Sequence, residues 1–299
     1  VKPHSGTWRA LAATARIANL PSVVSNVALG VILGHASAGH VSLGHASAVL
    51  LAGATLYLSG GFLNDCADRE WDARHRPERA LPTGLLPPRL YLALAIGFVG
   101  IGLIAAALAG PRALAVAVPI SASVAIYTWL HKKTVAAVLP MALCRALLPL
   151  LGLAASGAWE MWPFALFAAA GLFAHVAGIS WLARGESRPV QGPGMRLAPW
   201  LFAACALMML AGAVSALDSS PFVFLAALVP YALWTAHAVM RRGMDTGARV
   251  SALLAGIPLV DWILLLPFFF ASQSPSAALW LPPLAFAAGR LAQRLAPAT

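Results

Sequence analysis

Residues 89–109 read RLYLALAIGFVGIGLIAAALA, a run whose leading arginine is its one charge. A helix of that length rises about 30 Å, the thickness of a bilayer's hydrocarbon core, and it has no polar face to offer water. It is therefore a membrane span. Working outward, further apolar runs bounded by Gly, Pro and charged residues occupy 16–34, 46–64, 112–130, 134–154, 161–183, 197–217, 221–240, 248–271 and 277–294. The last is the weakest, because Pro282-Pro283 should kink it, although membrane helices tolerate proline where neighbours satisfy the freed backbone. The expected fold is all-α, a multispanning transmembrane helical bundle of nine or ten helices in one domain over 1–299.

Composition agrees. Of 299 residues 60% are hydrophobic and 10% charged, against about 25% charged in a soluble domain, which excludes a water-soluble globule. The 22 prolines and 25 glycines are scattered through apolar runs, which excludes collagen and disorder. Cys66, Cys144 and Cys205 have no metal-ligand spacing and read as reduced and incidental. A net charge of +10 would suggest nucleic acid as partner in a soluble protein. Here all of the 20 Lys and Arg except Arg112 and Arg145 fall at the N-terminus or in loops on the side reached after even-numbered spans. The positive-inside rule then makes the charge a matter of topology. It implies an integral protein of the cell (inner) membrane, with membrane lipids and no nucleic acid as partners, and with its N-terminus and basic loops in the cytoplasm. Lys2, Arg9 and Arg16 before an apolar stretch ending in Ala36-Ser37-Ala38 imitate a signal peptide, but the spans that follow favour an uncleaved first helix. The echo Gly34-His35-Ala36-Ser37-Ala38 and Gly44-His45-Ala46-Ser47-Ala48 reads as a small-residue external loop, since five-residue spacing spreads its histidines over different helix faces.

Chemistry concentrates after the second span, in residues 64–84, NDCADREWDARHRPERALPTG, which hold half of the chain's acids. If the second helix continues beyond the membrane surface, Asn64, Asp65, Asp68 and Asp72 share an arc of about 100°. Such hard oxygen donors suit Mg²⁺, which takes one or two protein carboxylates and fills its other positions with water and substrate phosphate. Arg74, Arg76 and Arg79 follow directly and suit phosphate oxygens. Acids for a metal beside cations for an anion suggest a metal-diphosphate site.

At these residues the chain resembles the UbiA superfamily of intramembrane prenyltransferases, whose first signature has the form N-D-x-x-D-x-x-x-D followed by R-P-I-P-S-G. Asn64, Asp65, Asp68 and Asp72 match it, then Arg79, Pro82, Thr83 and Gly84, with Ala80 in place of the usual proline. Arg16 to Pro21, with Asn26 downstream, is similar to the family's first helix; Tyr127 to Lys133 resembles the Tyr-and-Lys segment closing the fourth; Met141 to Arg145 is similar to an EboC-like branch. The resemblance implies a central cavity opening to the cytoplasmic side. It implies Mg²⁺ as cofactor on Asn64, Asp65, Asp68 and Asp72, with Asp65, Asp68 and Asp72 catalytic. Asn64, Arg16, Asn19, Arg79, Tyr127, Lys132, Arg184 and Glu186 would bind substrate. The implied reaction moves a prenyl group from an allylic polyprenyl diphosphate to an aromatic or other lipophilic acceptor inside the membrane. One departure stands out: the family's second motif, D-x-x-x-D at the end of the sixth helix, is missing from 178–188 (GISWLARGESR), where Glu186 is the one acid. Arg184 and Arg188 then stand as direct diphosphate cations needing no second metal. The same departure motivates the alternative of a catalytically reduced lipid-binding or transport accessory protein, although a transporter should show paired interrupted helices, which the sequence does not display.

Asp72-Ala73-Arg74 superficially echoes the start of the CDP-alcohol phosphotransferase motif, but no aspartate follows Gly84 at the required spacing. Asp261 and Arg145 lie inside apolar spans, where a central charge costs about 2.5–3.5 kcal/mol on insertion scales. They stand as functional residues or a mutual pair, or as a salt bridge that merely locks two helices. Cys66 and His175 read as packing residues.

Overall fold

The computed structural model describes residues 11–77, 79–157, 159–184, 193–216, 220–272 and 277–295. Among them the regular elements are helical: α1 (Leu20–Ala38), α2 (Leu43–His75), α3 (Pro88–Ala109), α4 (Pro111–Leu130), α5 (Val138–Ala146), α6 (Leu148–Leu153), α7 (Trp162–Arg184), α8 (Pro193–Ala216), α9 (Pro221–Met240), α10 (Thr246–Ala255), α11 (Ile257–Ser272) and α12 (Leu281–Ala292), with short 3-10 turns. Nine described helical stretches are long and apolar enough to cross a membrane. The expected tenth, 277–294, is a shorter apolar segment, Ala277–Ala292, below the about 17 residues a span needs. Pro282 and Pro283 do not kink it. They sit in the opening turn of α12, where a proline's missing N–H would have no intrahelical partner anyway.

Two spans are interrupted, where the sequence reading expects continuous helices. The fifth breaks at Leu147 between α5 and α6, and the ninth at Gly256 between α10 and α11. Both breaks have one cause. Pro149 and Pro258 stand second in the resuming helices, and each removes the N–H that would bond four residues back while crowding that carbonyl. Each break lies close to a buried charge, Arg145 before one and Asp261 after the other.

Helix α1 is the axis of the bundle. Its Leu29 and Leu33 join an apolar cluster with α5 and α7 to α11, and its Val23 and Val27 join another with α2, α3, α4 and α6. The span formed by α10 and α11 is 83% buried and α1 67%, whereas α9 is 22% buried and presents most of its surface outward. Close approach depends on two glycines. A Cβ on Gly30 would stand 1.9 Å from the Pro149 carbonyl oxygen, and one on Gly152 would stand 1.9 Å from that of Val27. Helix α6 thus lies on α1 backbone to backbone, the geometry that small residues permit where no hydrophobic force separates helix from lipid.

Gly152→Ala is therefore expected to lower folding stability by about 1–3 kcal/mol, the usual cost of overpacking, and to depress the thermal unfolding midpoint of the detergent-solubilised protein. Gly100→Ala, where a Cβ meets nothing within 4 Å, should leave that midpoint unchanged.

Candidate active site

Helix α2 has 33 residues, or about 50 Å, so its last turns run past a core of about 30 Å. Only one face of that extension is buried. Asn64, Asp65, Asp68 and Asp72 are 5%, 4%, 7% and 2% exposed, while Arg69, Glu70, Trp71 and Arg74 face outward. The arc expected from the spacing is present, and it turns inward.

Each acid has its own partners. Asp65 accepts a hydrogen bond from the Thr14 hydroxyl at 3.0 Å and lies 3.5 Å from Arg79 Nη1. Asp72 accepts from the same Arg79 Nη1 at 3.0 Å. Asp68 Oδ1 meets Lys132 Nζ at 2.5 Å and His131 Nε2 at 2.8 Å, and its Oδ2 accepts from Asn64 Nδ2 at 3.1 Å. Buried carboxylates need such counter-charge, since taking a charge out of water without a partner is prohibitively costly.

Local structure explains how the partners arrive. The chain leaves α2 at Arg76 and turns back through Arg79, with Thr83 N–H bonding the Arg79 carbonyl and Leu85 N–H that of Ala80. Ala80 and Leu81 sink into a small apolar cluster with Ala15, Phe62, Tyr91 and Ala95, which fixes Arg79 above the acids. Arg76 instead lies over the Trp71 ring and Arg74 is exposed, so of the three arginines grouped in the sequence one enters the site. Gly61 allows residue 14 to lie against α2, since a Cβ there would stand 2.6 Å from the Thr14 carbonyl oxygen. His131 and Lys132 come from the turn after α4. That turn is braced by Arg184, whose Nη2 donates to the carbonyls of His131 at 2.8 Å and Thr134 at 2.6 Å. Arg184, expected on the diphosphate, thus holds the backbone that presents Lys132. Tyr127 is half-buried with its ring 5.4 Å from that of His131.

Arg16 completes this end of the bundle. It is the one non-glycine with positive φ among the described residues (47°), a conformation that costs of order 1–3 kcal/mol and recurs at functional sites. Its carbonyl accepts from the Tyr57 hydroxyl at 3.2 Å. Its charge acts on Asp65, Tyr57 and Tyr127 but forms no ion pair among the described residues. Asn19 is buried one turn on. Glu186 and Arg188 lie outside the described residues. Thr14, Tyr91 and His131 were not singled out by the sequence reading. His131, next to Lys132, carried a usable signal; Thr14 and Tyr91 carried none.

Of the alternatives the sequence leaves open for the two intramembrane charges, the structure does not show the mutual pair or the salt bridge. Among the described residues neither has an opposite charge within 4 Å. Asp261 accepts from Ser25 Oγ at 2.5 Å and from Asn26 Nδ2 at 2.9 and 2.8 Å, while Arg145 donates to Ser22 Oγ at 3.0 Å. Both are held by α1 instead. Placing Ser22, Ser25 and Asn26 on one face of α1 supplies enough polar groups to keep the charges apart. His175 is packing, bonded to the Tyr231 hydroxyl at 3.1 Å and the Leu253 carbonyl at 3.3 Å.

The donor set suits a hard divalent cation. Asp72 Oδ1 and Asn64 Oδ1 are buried oxygens without a hydrogen-bond partner, and oxygen is what Mg²⁺ selects. Among the described residues no group of three or more His, Cys, Asp or Glu side chains is placed to hold a metal ion. The arrangement fits an ion held by one or two carboxylates and completed by water and phosphate. Separately, an apolar groove of about 680 Å³ runs between the start of α1 (Ile17, Leu20, Val24) and α12 (Leu281, Leu284, Ala288), reaching the chain beside Arg16.

A bundle of membrane-length apolar helices with a buried acid face at one end defines an integral membrane protein. The chain belongs to the UbiA prenyltransferase family, which it matches over residues 23–257. A curated relative, the digeranylgeranylglyceryl phosphate synthase of Methanopyrus kandleri, is 34% identical over 107 residues, 36% of this chain and 40% of that protein; the match thus spans about two fifths of the relative. The fold is similar to a solved digeranylgeranylglyceryl phosphate synthase structure (TM-score 0.63, 14% identity, 90% of this chain and 99% of that one). It is also similar to a UbiA homologue from Archaeoglobus fulgidus bound to GPP and Mg²⁺ (TM-score 0.55, 18% identity, 95% and 99%). A third likeness is the apo UbiA homologue from Aeropyrum pernix (TM-score 0.57, 18% identity, 92% and 98%).

Arg79→Ala should free the returning loop, because it removes the shared link to Asp65 and Asp72. Amide hydrogen exchange across 79–85 is expected to accelerate, with about 1–3 kcal/mol lost from stability. Arg74→Ala, on an exposed side chain, serves as the unchanged control.

Proposed function

We propose that this protein is an Mg²⁺-dependent intramembrane prenyltransferase that moves a prenyl group from an allylic polyprenyl diphosphate to a lipophilic acceptor, aromatic or lipidic. The observation that carries the reading is the buried face of Asn64, Asp65, Asp68 and Asp72 with Arg79, Lys132 and Arg16 gathered around it. Family membership supports it, and does not favour the accessory alternative. One or two of the carboxylates of Asp65, Asp68 and Asp72, with Asn64 beside them, would hold the metal, which when bound neutralises charge on the diphosphate. The names of the relatives support a prenyl diphosphate donor, and a glyceryl phosphate synthase among them supports a lipophilic acceptor.

The residues themselves divide the work. Lys132 and Arg79, each already resting on a carboxylate, are placed to swing a hydrogen-bond donor onto phosphate oxygens. Arg16, without an ion pair among the described residues, adds a cation where Asn19 and Tyr127 supply polar contacts. Cleavage of the allylic C–O bond places negative charge on the leaving diphosphate, and fixed cations aimed there lower the barrier. The groove between α1 and α12 is lined by apolar side chains and takes the isoprenoid tail. Exclusion of water by the surrounding helices lets the allylic cation meet its acceptor first. On the positive-inside argument these residues face the cytoplasm from the inner membrane.

The purified full chain, given geranyl diphosphate, Mg²⁺ and a panel of aromatic and glycerol-lipid acceptors, is expected to release diphosphate and form a prenylated product. EDTA should abolish turnover. Asp68→Ala and Asp72→Ala should each lower kcat by about 100-fold or more, the usual cost of losing preorganised charge stabilisation. Undiminished turnover in both variants would sink the assignment, and donor binding with no turnover on any acceptor would turn it to the accessory role.

A further inference from the structure

Arg145 is the buried charge that the proposed diphosphate chemistry leaves unused. It lies at the end of α5, just before the proline-induced break, and its side chain is 7% exposed. Nη2 donates to Ser22 Oγ at 3.0 Å, the guanidinium carbon lies 5.5 Å from the centroid of the Tyr57 ring, and Nη1 is buried without a hydrogen-bond partner. Among the described residues no carboxylate lies within 4 Å. The interior acid, Asp261, has both oxygens held by Ser25 and Asn26, one turn further along α1. A permanent cation thus sits inside the bundle with one edge of its donor fork committed and the other unsatisfied, which is costly unless something anionic completes it. A lock between α5 and α1 needs only the Ser22 bond and leaves Nη1 unexplained.

Its location says what would complete it. Tyr57, over which the guanidinium lies, precedes Asn64 by seven residues on α2, so it occupies the same helix face about 10 Å deeper than the acid cluster. Tyr57 also bonds the carbonyl of Arg16, which ties the deeper level to the upper one. An acceptor with its anionic end at Arg145 and a body about 10 Å long would reach the level of the acid cluster, where the proposed transfer takes place.

Resting on the prenyl-transfer reading above, we propose that Arg145, with Ser22, binds an anionic headgroup, carboxylate or phosphate, on the acceptor, and so selects charged over neutral acceptors. A planar fork is the side chain suited to paired anionic oxygens. Arg145 is a binding residue and takes no part in the bond-breaking step.

The test uses the full chain in detergent with two matched probe pairs: 4-hydroxybenzoate against phenol, and geranylgeranylglyceryl phosphate against geranylgeranylglycerol. Binding is read as thermal stabilisation without donor. Turnover is read as KM and kcat with geranyl diphosphate and Mg²⁺. The wild type is expected to prefer the anionic member of at least one pair, and which pair responds distinguishes carboxylate from phosphate. Arg145→Gln should erase that preference and raise acceptor KM about tenfold or more with kcat little changed; Arg145→Lys, keeping charge but not the fork, should restore part of it. Geranyl diphosphate binding should be untouched in both variants. Equal binding of charged and neutral probes by the wild type overturns the proposal, as does an Arg145→Gln variant that keeps the preference, whether or not it loses stability. Loss of donor binding in the wild type itself would instead strike the prenyl-transfer reading.

Discussion

One helix must carry four hard oxygen side chains into a place with almost no water, and the arrangement of the rest follows from that. Asn64, Asp65, Asp68 and Asp72 are all less than a tenth exposed, so each carboxylate needs positive charge or donors delivered by chain from elsewhere. Three segments outside the helix supply them: residue 14 before α1, the loop just after α2 that carries Arg79, and the distant turn carrying His131 and Lys132. None of these is a strong local structure on its own. The loop is fixed by Ala80 and Leu81 in apolar packing, the turn by Arg184, and residue 14 by the missing side chain of Gly61. Charge neutralisation and packing are thus the same problem at this end of the bundle.

A second polar level runs through the interior along α1, and it obeys a different rule. Ser22, Ser25 and Asn26 lie on one face of a helix that otherwise contributes Val23, Val27, Leu29 and Leu33 to two apolar clusters. Instead of pairing Arg145 with Asp261, α1 gives each its own neutral donors or acceptors. Direct pairing in a low-dielectric interior would have satisfied both charges and closed the space between them. Each side chain is thus anchored on α1 by its own hydrogen bonds, at the depth where two spans are broken by Pro149 and Pro258.

The sequence disclosed these features unevenly, for physical reasons. Span positions were legible because membrane insertion requires an uninterrupted apolar length, and the inward arc of acids because helical periodicity fixes which residues share a face. Helix breaks were written in the prolines but masked by the continuous hydrophobicity around them, since hydropathy is blind to a missing N–H. The role of Arg184 was hidden because an arginine near an anion site looks the same in sequence whether it meets phosphate or a backbone carbonyl. Thr14 was hidden more deeply, because its contact with Asp65 bridges 51 positions and depends on Gly61 having no side chain.

Arg16 links the two levels, and the strain it carries has a use. Its positive φ turns the chain sharply between residue 14, which serves Asp65, and Asn19 and Ser22, which open the interior line on α1. A glycine there would relieve the backbone, but it would remove the one cation near Asp65 that has no ion pair among the described residues. A lysine would keep the charge and not the planar donor fork. The residue therefore has to be both the bend and the cation, and the Tyr57 hydroxyl on its carbonyl holds the bend in place. The same Tyr57 ring lies under Arg145, so a single aromatic side chain touches both the Arg16 turn and the deeper level.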